Sequence, residues 1–144
     1  MNSIFDAMFR LGYSNDLHDH LKGLDKTCSD FTGTSVYALV FYVLLGSGLL
    51  IMFNYYKGFF HRPGFTSRRT WLLHLFGASA IVFALALIKS LSDLNSGNFC
   101  RDLRFDSSDC VLFAFTCALY SLLFTFLLSL VLKFLSIHHK RIPF

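Results

Sequence analysis

Val111 to Leu132 is a run of twenty-two residues without a single charge, closed by Lys133. A hydrocarbon core of ~30 Å, crossed at a rise of ~1.5 Å per residue, takes ~20 apolar residues, so this run is long enough to span a bilayer as a helix. Two more stretches match it. Phe31 to Tyr56 is uncharged, and in Thr70 to Ile88 the only ionisable side chain is His74. Hydrophobic residues make up 54% of the 144-residue chain and charged residues only 15%, which argues against a soluble single-core domain. The fold class predicted is therefore an all-α integral membrane protein, with three transmembrane helices (spans of about 35–53, 70–88 and 111–132) behind an amphipathic helical N-terminal arm. Residues 1–33 form the arm and 34–144 the membrane domain, leaving no room for a second domain. The first apolar run starts too late and runs too long for a signal sequence, and no small-residue cleavage site follows it, so that span is expected to stay in the mature protein.

Orientation is read from charge. All nine acidic residues are aspartates, and they fall in the arm and in the connection from Ser92 to Cys110. The other connection, Asn54 to Arg69, and the C-terminus carry bases without acids. Retention of Lys and Arg on the cytoplasmic side then places the N-terminus outside and the C-terminus in the cytoplasm, in a bacterial inner membrane. Lys22, Lys26, Lys89, Arg101 and Arg104 lie on the outer side, but aspartates neutralise them. Cysteine use agrees: Cys28, Cys100 and Cys110 all fall outside, where an oxidising compartment permits a disulfide. Cys100 with Cys110 is the preferred pair. Cys28 with either is possible, and so are free thiols.

In the arm, Ser3 and Asp6 mark a helix start, and Ile4, Met8 and Leu11 share one face. Gly12 and Ser14-Asn15 interrupt it before Leu17, Leu21 and Leu24 repeat the pattern in a second short helix. His18 and His20 diverge by about 200° on a helix, so His18-Asp19-His20 is read as a solvated face rather than a metal site. No metal or cofactor is expected.

The connection NYYKGFFHRPGFTSRR interleaves aromatics with bases. Tyr55, Tyr56 and Trp71 suit an interfacial aromatic belt, while Lys57, Arg62, Arg68 and Arg69 suit anionic lipid head groups, or else an anionic ligand or protein partner at the cytoplasmic loop. His74 lies one turn inside the membrane. There an ionisable group is a functional suspect, though it can also bond backbone or head group. Lys89, at the opposite end of that span, can snorkel or pair with Asp93.

Cys117, Ser121, Thr125 and Ser129 recur every fourth residue and lay a small, weakly polar stripe along the third span. Such a stripe marks either close helix packing or a narrow pore. Gly46-Ser47-Gly48 in the first span and Ala80 and Ala84 in the second are further small-residue faces. Together they exceed what one three-helix bundle needs, which points to a homo-oligomer within the lipid bilayer.

Ser47 and His74 somewhat resemble the Ser/His pairing of rhomboid-type intramembrane proteases. That family's G-x-S-G is not present, because position 45 is leucine, and three spans are too few. With no glutamate, no acid within a span and no phosphate-binding loop, no catalytic residue is assigned and an enzyme is not expected. In size and span count the chain resembles the small multi-span effectors of bacterial anti-phage defence systems. That resemblance implies an ion channel or membrane-permeabilising effector, with the stripe, His74 and Lys89 near its path. The other function open to it is a scaffold, a structural or anchoring subunit of a larger envelope complex.

Overall fold

A computed structural model describes residues 12–23, 35–57, 67–97, 99–100 and 103–135. Among these the chain is all-helical: α1 (Asn15–Lys22), α2 (Val36–Lys57), α3 (Arg68–Ser96) and α4 (Ser107–Leu135). The last three are long and apolar enough to cross a membrane, so the protein is an integral membrane protein. Their outward side chains suit lipid: Leu50 is 74% exposed, Leu73 70% and Phe134 82%. In water such a surface would aggregate; next to acyl chains it costs nothing.

Local sequence sets the helix ends. Ser14 caps α1 by accepting from the Leu17 amide at 3.3 Å, and Gly23 closes it in the left-handed region at φ 68°, its amide donating to the His20 carbonyl. Ser67 accepts from the Thr70 amide at 3.2 Å to start α3, which ends at Gly97 with φ 66°. At the start of α4, Asp109 reaches back to the Asp106 amide at 3.3 Å, an acidic version of the capping box. At 29 residues each, α3 and α4 reach ~43 Å and overrun the ~30 Å core. Both outrun the expected spans. Lys89, Ser90 and Asp93 continue α3 helically because nothing breaks the chain before Asn95-Ser96-Gly97.

The chain divides into two compact units. The first contains α1, residues 36–42, 83–96 and the start of α4 to Cys117. Here Leu17 and Leu21 of α1 are fully buried, as the leucine seam requires. The two histidines depart from the solvated face expected for them: His18 is 4% and His20 3% exposed. Each is buried with a polar partner. The Tyr37 hydroxyl lies 2.5 Å from His18 Nδ1 and 2.7 Å from the Tyr13 hydroxyl, with the Phe113 ring edge-on to both tyrosines. His20 stacks on Phe105 at 5.4 Å and faces the Asp93 carboxylate at 3.6 Å. Asp109 accepts from the Ser14 amide, and Asp16 from the Arg104 amide. The first segment of the arm, with Ile4, Met8 and Leu11, lies outside the described residues.

The second unit takes 43–57 of α2, 68–82 of α3 and α4 from Ala118. Its core is Met52, Tyr55, Tyr56, Trp71 and Leu75, with Leu122, Phe126, Leu128 and Leu132 packed against it.

Candidate functional site

The polar stripe of α4 is the natural starting point, because its four members are the only regularly spaced polar side chains in the span. All four, Cys117, Ser121, Thr125 and Ser129, have no exposed surface within a single chain. Three of them lie in the second unit. Thr125 bonds back to its own helix, its hydroxyl donating to the Ser121 carbonyl at 2.7 Å, a common way for threonine to satisfy itself in apolar surroundings.

Ser129 does something different. Its hydroxyl accepts from Trp71 Nε1–H at 2.8 Å and lies 2.7 Å from the Tyr56 hydroxyl. One small polar residue thus ties α2 and α3 to α4. Gly48 explains how α2 comes close enough: a Cβ there would stand 2.8 Å from the Phe124 ring and 3.0 Å from Thr125 Cγ2. Ser79 adds a further tie between α3 and α4, donating to the Ala118 carbonyl at 2.8 Å. Ser121 is the exception in the stripe, its buried Oγ having no hydrogen-bond partner.

Tyr55, Tyr56 and Trp71 are therefore not a belt facing the interface. Tyr55 is fully buried, Tyr56 1% exposed and Trp71 8% exposed. The physical reason is that the Tyr56 hydroxyl and the indole N–H find Ser129, so their rings can go inward without an unsatisfied polar end.

His74 is half-buried. Its Nδ1 must carry a proton, since it lies 2.7 Å from the Thr70 carbonyl, which can only accept, and its ring lies 5.0 Å from that of Tyr55. Ser47 instead donates to the Leu44 carbonyl one turn back. Beside His74 an open groove of about 290 Å³ is lined by Ile51, Asn54, Leu73, His74, Gly77 and Ile81.

Of the four bases assigned to an anionic ligand or lipid, Arg68 and Arg69 stand exposed at the start of α3. Lys57 closes α2, but its side chain, like Arg62, lies outside the described residues. Lys89 pairs with Asp93 at 2.5 Å across one turn of α3, in the first unit, as the spacing suggested. The acid lies between this half-exposed lysine and His20.

The preferred Cys100–Cys110 bridge is not formed. Cys100 is disulfide-bonded, whereas Cys110 is a free, buried thiol. Cys110 sits in the first turn of α4 and turns inward, fully buried on the side of Ser90 of α3. Cys28 lies outside the described residues. Among the described residues no three His, Cys or Asp side chains gather into a metal-binding group.

Sequence reasoning missed the ties of α1 to Tyr37 and Asp93. The only available signal was the i, i+4 spacing of Lys89 and Asp93, which says nothing of His20. Comparison with protein-family models, curated proteins and solved structures returned no match.

Proposed function

We propose that this protein is a structural or anchoring subunit of a larger envelope assembly, held in the inner membrane with its N-terminus outside and its C-terminus in the cytoplasm. The observation that carries this is the fate of the α4 stripe. All its side chains are buried within one chain, and two of its three hydroxyls are bonded there, Ser129 holding Trp71 and Tyr56 and Thr125 bonding its own helix, so the stripe behaves as packing and points no polar face outward. Among the described residues, what remains for partners includes apolar helix surface, the exposed Arg68 and Arg69, and the polar cap built from α1 and residues 103–106. The disulfide at Cys100 supports placing that cap on the oxidising side. Homo-oligomerisation belongs to the same proposal, through exposed small residues such as Ala80 and Ala84 of α3.

The channel or effector reading keeps one specific support, the unpartnered Ser121 hydroxyl in the middle of the stripe. A buried hydroxyl without a partner is costly, and water entering an opened bundle would satisfy it.

One pair of measurements separates the two. A photo-crosslinking residue at the exposed cap position Asp19, in the membrane of the native host, yields a discrete protein adduct if the chain anchors a complex. Purified protein in planar bilayers then carries no discrete current. Discrete conductance reduced by Ser121→Ala, together with no adduct from the cap, overturns the anchoring reading in favour of the channel.

A further inference from the structure

The groove beside His74 is graded along its length. Its polar members, Asn54 and His74, lie near the helix ends that meet the basic connection: Asn54 is three residues before the end of α2, and His74 six residues into α3. Apart from Leu73, its apolar members run the other way. Gly77 and Ile81 lie deeper along α3, with Ile51 one turn deeper along α2. At ~1.5 Å per residue, His74 to Ile81 covers ~10 Å of membrane depth. The walls are apolar along most of the length, with Asn54 and His74 only at the interfacial end, an arrangement that suits an acyl chain below and a glycerol region above.

Charge points the same way. Arg69 is exposed, and helical spacing puts it on the flank of Leu73, one turn nearer the interface than the groove. The described interfacial side chains on α3 before His74 include two arginines, and neither the last turn of α2, Asn54 to Lys57, nor the first turn of α3 contains an acid. The groove's volume, about 290 Å³, falls just below the range of ligand pockets (~300–1,000 Å³). It therefore takes the glycerol region and the start of one acyl chain rather than a whole lipid.

We infer that this groove seats one anionic phospholipid, its phosphate at Arg69, its glycerol region against Asn54 and His74, and an acyl chain laid over Gly77 between Ile51 and Ile81. Gly77 is what leaves the chain room, since a Cβ built there meets nothing within 4 Å. The inference rests on the membrane-spanning fold and not on whether the protein anchors or conducts.

The same glycine gives a clean test. Gly77→Leu starts its side chain in open space, since a Cβ there meets nothing within 4 Å, and it replaces a poor helix former with a good one. Native mass spectrometry of the protein from nanodiscs of equal dioleoylphosphatidylglycerol and dioleoylphosphatidylcholine reads the retained lipid directly. The wild type is expected to retain phosphatidylglycerol at least about fivefold over phosphatidylcholine, the preference that one base near an anionic surface provides. Arg69→Gln is expected to remove that preference, and Gly77→Leu to remove the retained lipid of both kinds. The fluorescence of Trp71, the single tryptophan, shows that each variant keeps the wild-type fold. Equal retention of the two lipids by wild type overturns the inference. Unchanged phosphatidylglycerol retention by a folded Gly77→Leu also overturns it, as does a loss of self-association in that variant with no change in lipid, which would assign the groove to a second copy of α3.

Discussion

Replacing Ser129 with alanine removes a single oxygen and tests the central packing claim. In the native chain that oxygen receives the Trp71 indole N–H at 2.8 Å and bonds the Tyr56 hydroxyl at 2.7 Å, among residues that are nearly or fully buried. Each buried polar group that loses its partner costs ~1–3 kcal/mol in proteins generally. Membrane helices show less, ~0.6 kcal/mol on average and up to ~1.7 per interaction, because the unfolded chain in lipid also finds partners. Two interactions therefore put Ser129→Ala at ~1–3 kcal/mol destabilised. The assay is unfolding in mixed micelles of increasing dodecyl sulfate fraction, read by fluorescence. Because the chain has one tryptophan, the signal comes from the bond being tested. A double-mutant cycle with Trp71→Phe, all four proteins followed by far-ultraviolet circular dichroism, isolates the indole bond, with a coupling of ~0.6–1.7 kcal/mol expected. A Ser129→Ala protein within ~0.5 kcal/mol of wild type, the usual range for a surface change, or a coupling near zero, would refute the placement of Ser129 against Trp71. The stripe would then be free to line a pore.

Other outcomes follow from the same geometry. Gly48→Ala is expected to destabilise by ~1–3 kcal/mol through overpacking against Phe124 and Thr125; Gly46→Ala, where a Cβ meets nothing, should be neutral or stabilising by up to ~1 kcal/mol from helix propensity, in the same unfolding assay. Ser121→Ala removes a buried hydroxyl that has no partner and should raise the unfolding midpoint, with ~1 kcal/mol or more gained. Asp93→Asn weakens the links to both His20 and Lys89, and amide exchange across α1 should accelerate by about 5–30-fold, the equivalent of ~1–2 kcal/mol; unchanged α1 protection would show that Leu17 and Leu21 alone hold it. Cys110 and Cys117, free but buried, should resist a maleimide in the native protein and label after denaturation, whereas Cys100 should label only after reduction.

The three long helices were legible because bilayer thickness fixes how many uncharged residues a span needs, and three runs met that length. Their extra turns were not, since polar residues such as Ser90 and Asp93 fit a helix as well as a loop, and only Gly97 stops the chain. The stripe was equally visible, but a spacing of four says where side chains stand on one helix and nothing about what faces them. Whether Ser129 meets water, another subunit or an indole depends on Gly48 letting α2 approach and on Trp71 turning inward. Both are tertiary facts. His18 and His20 show the same limit from the other side. Their angular divergence makes one shared ligand improbable, yet it permits two separate burials, one against Tyr37 and one against Phe105 and Asp93. The Cys100–Cys110 pairing failed because loop length favoured it, while the helical turn starting at Ser107 aims Cys110 at Ser90.

A polar stripe buried within one chain restricts how subunits can associate. Hydroxyl groups already bonded to Trp71, Tyr56 or a local carbonyl contribute little to a neighbour, so any lateral contact must come from shape on the apolar faces or from the cap. On apolar faces the driving force between helices is packing, since lipid solvates leucine as well as a neighbouring helix does. Such contacts favour small residues, and Ala80 and Ala84 are the exposed ones on α3. Enlarging them to isoleucine leaves the described core untouched. If the subunits meet there, Ala80→Ile with Ala84→Ile should yield a monomer of unchanged unfolding midpoint in detergent-corrected light scattering. A double variant that keeps the wild-type mass would refute association through this face and turn attention to the cap, with the polar residues of α1 and the 103–106 segment.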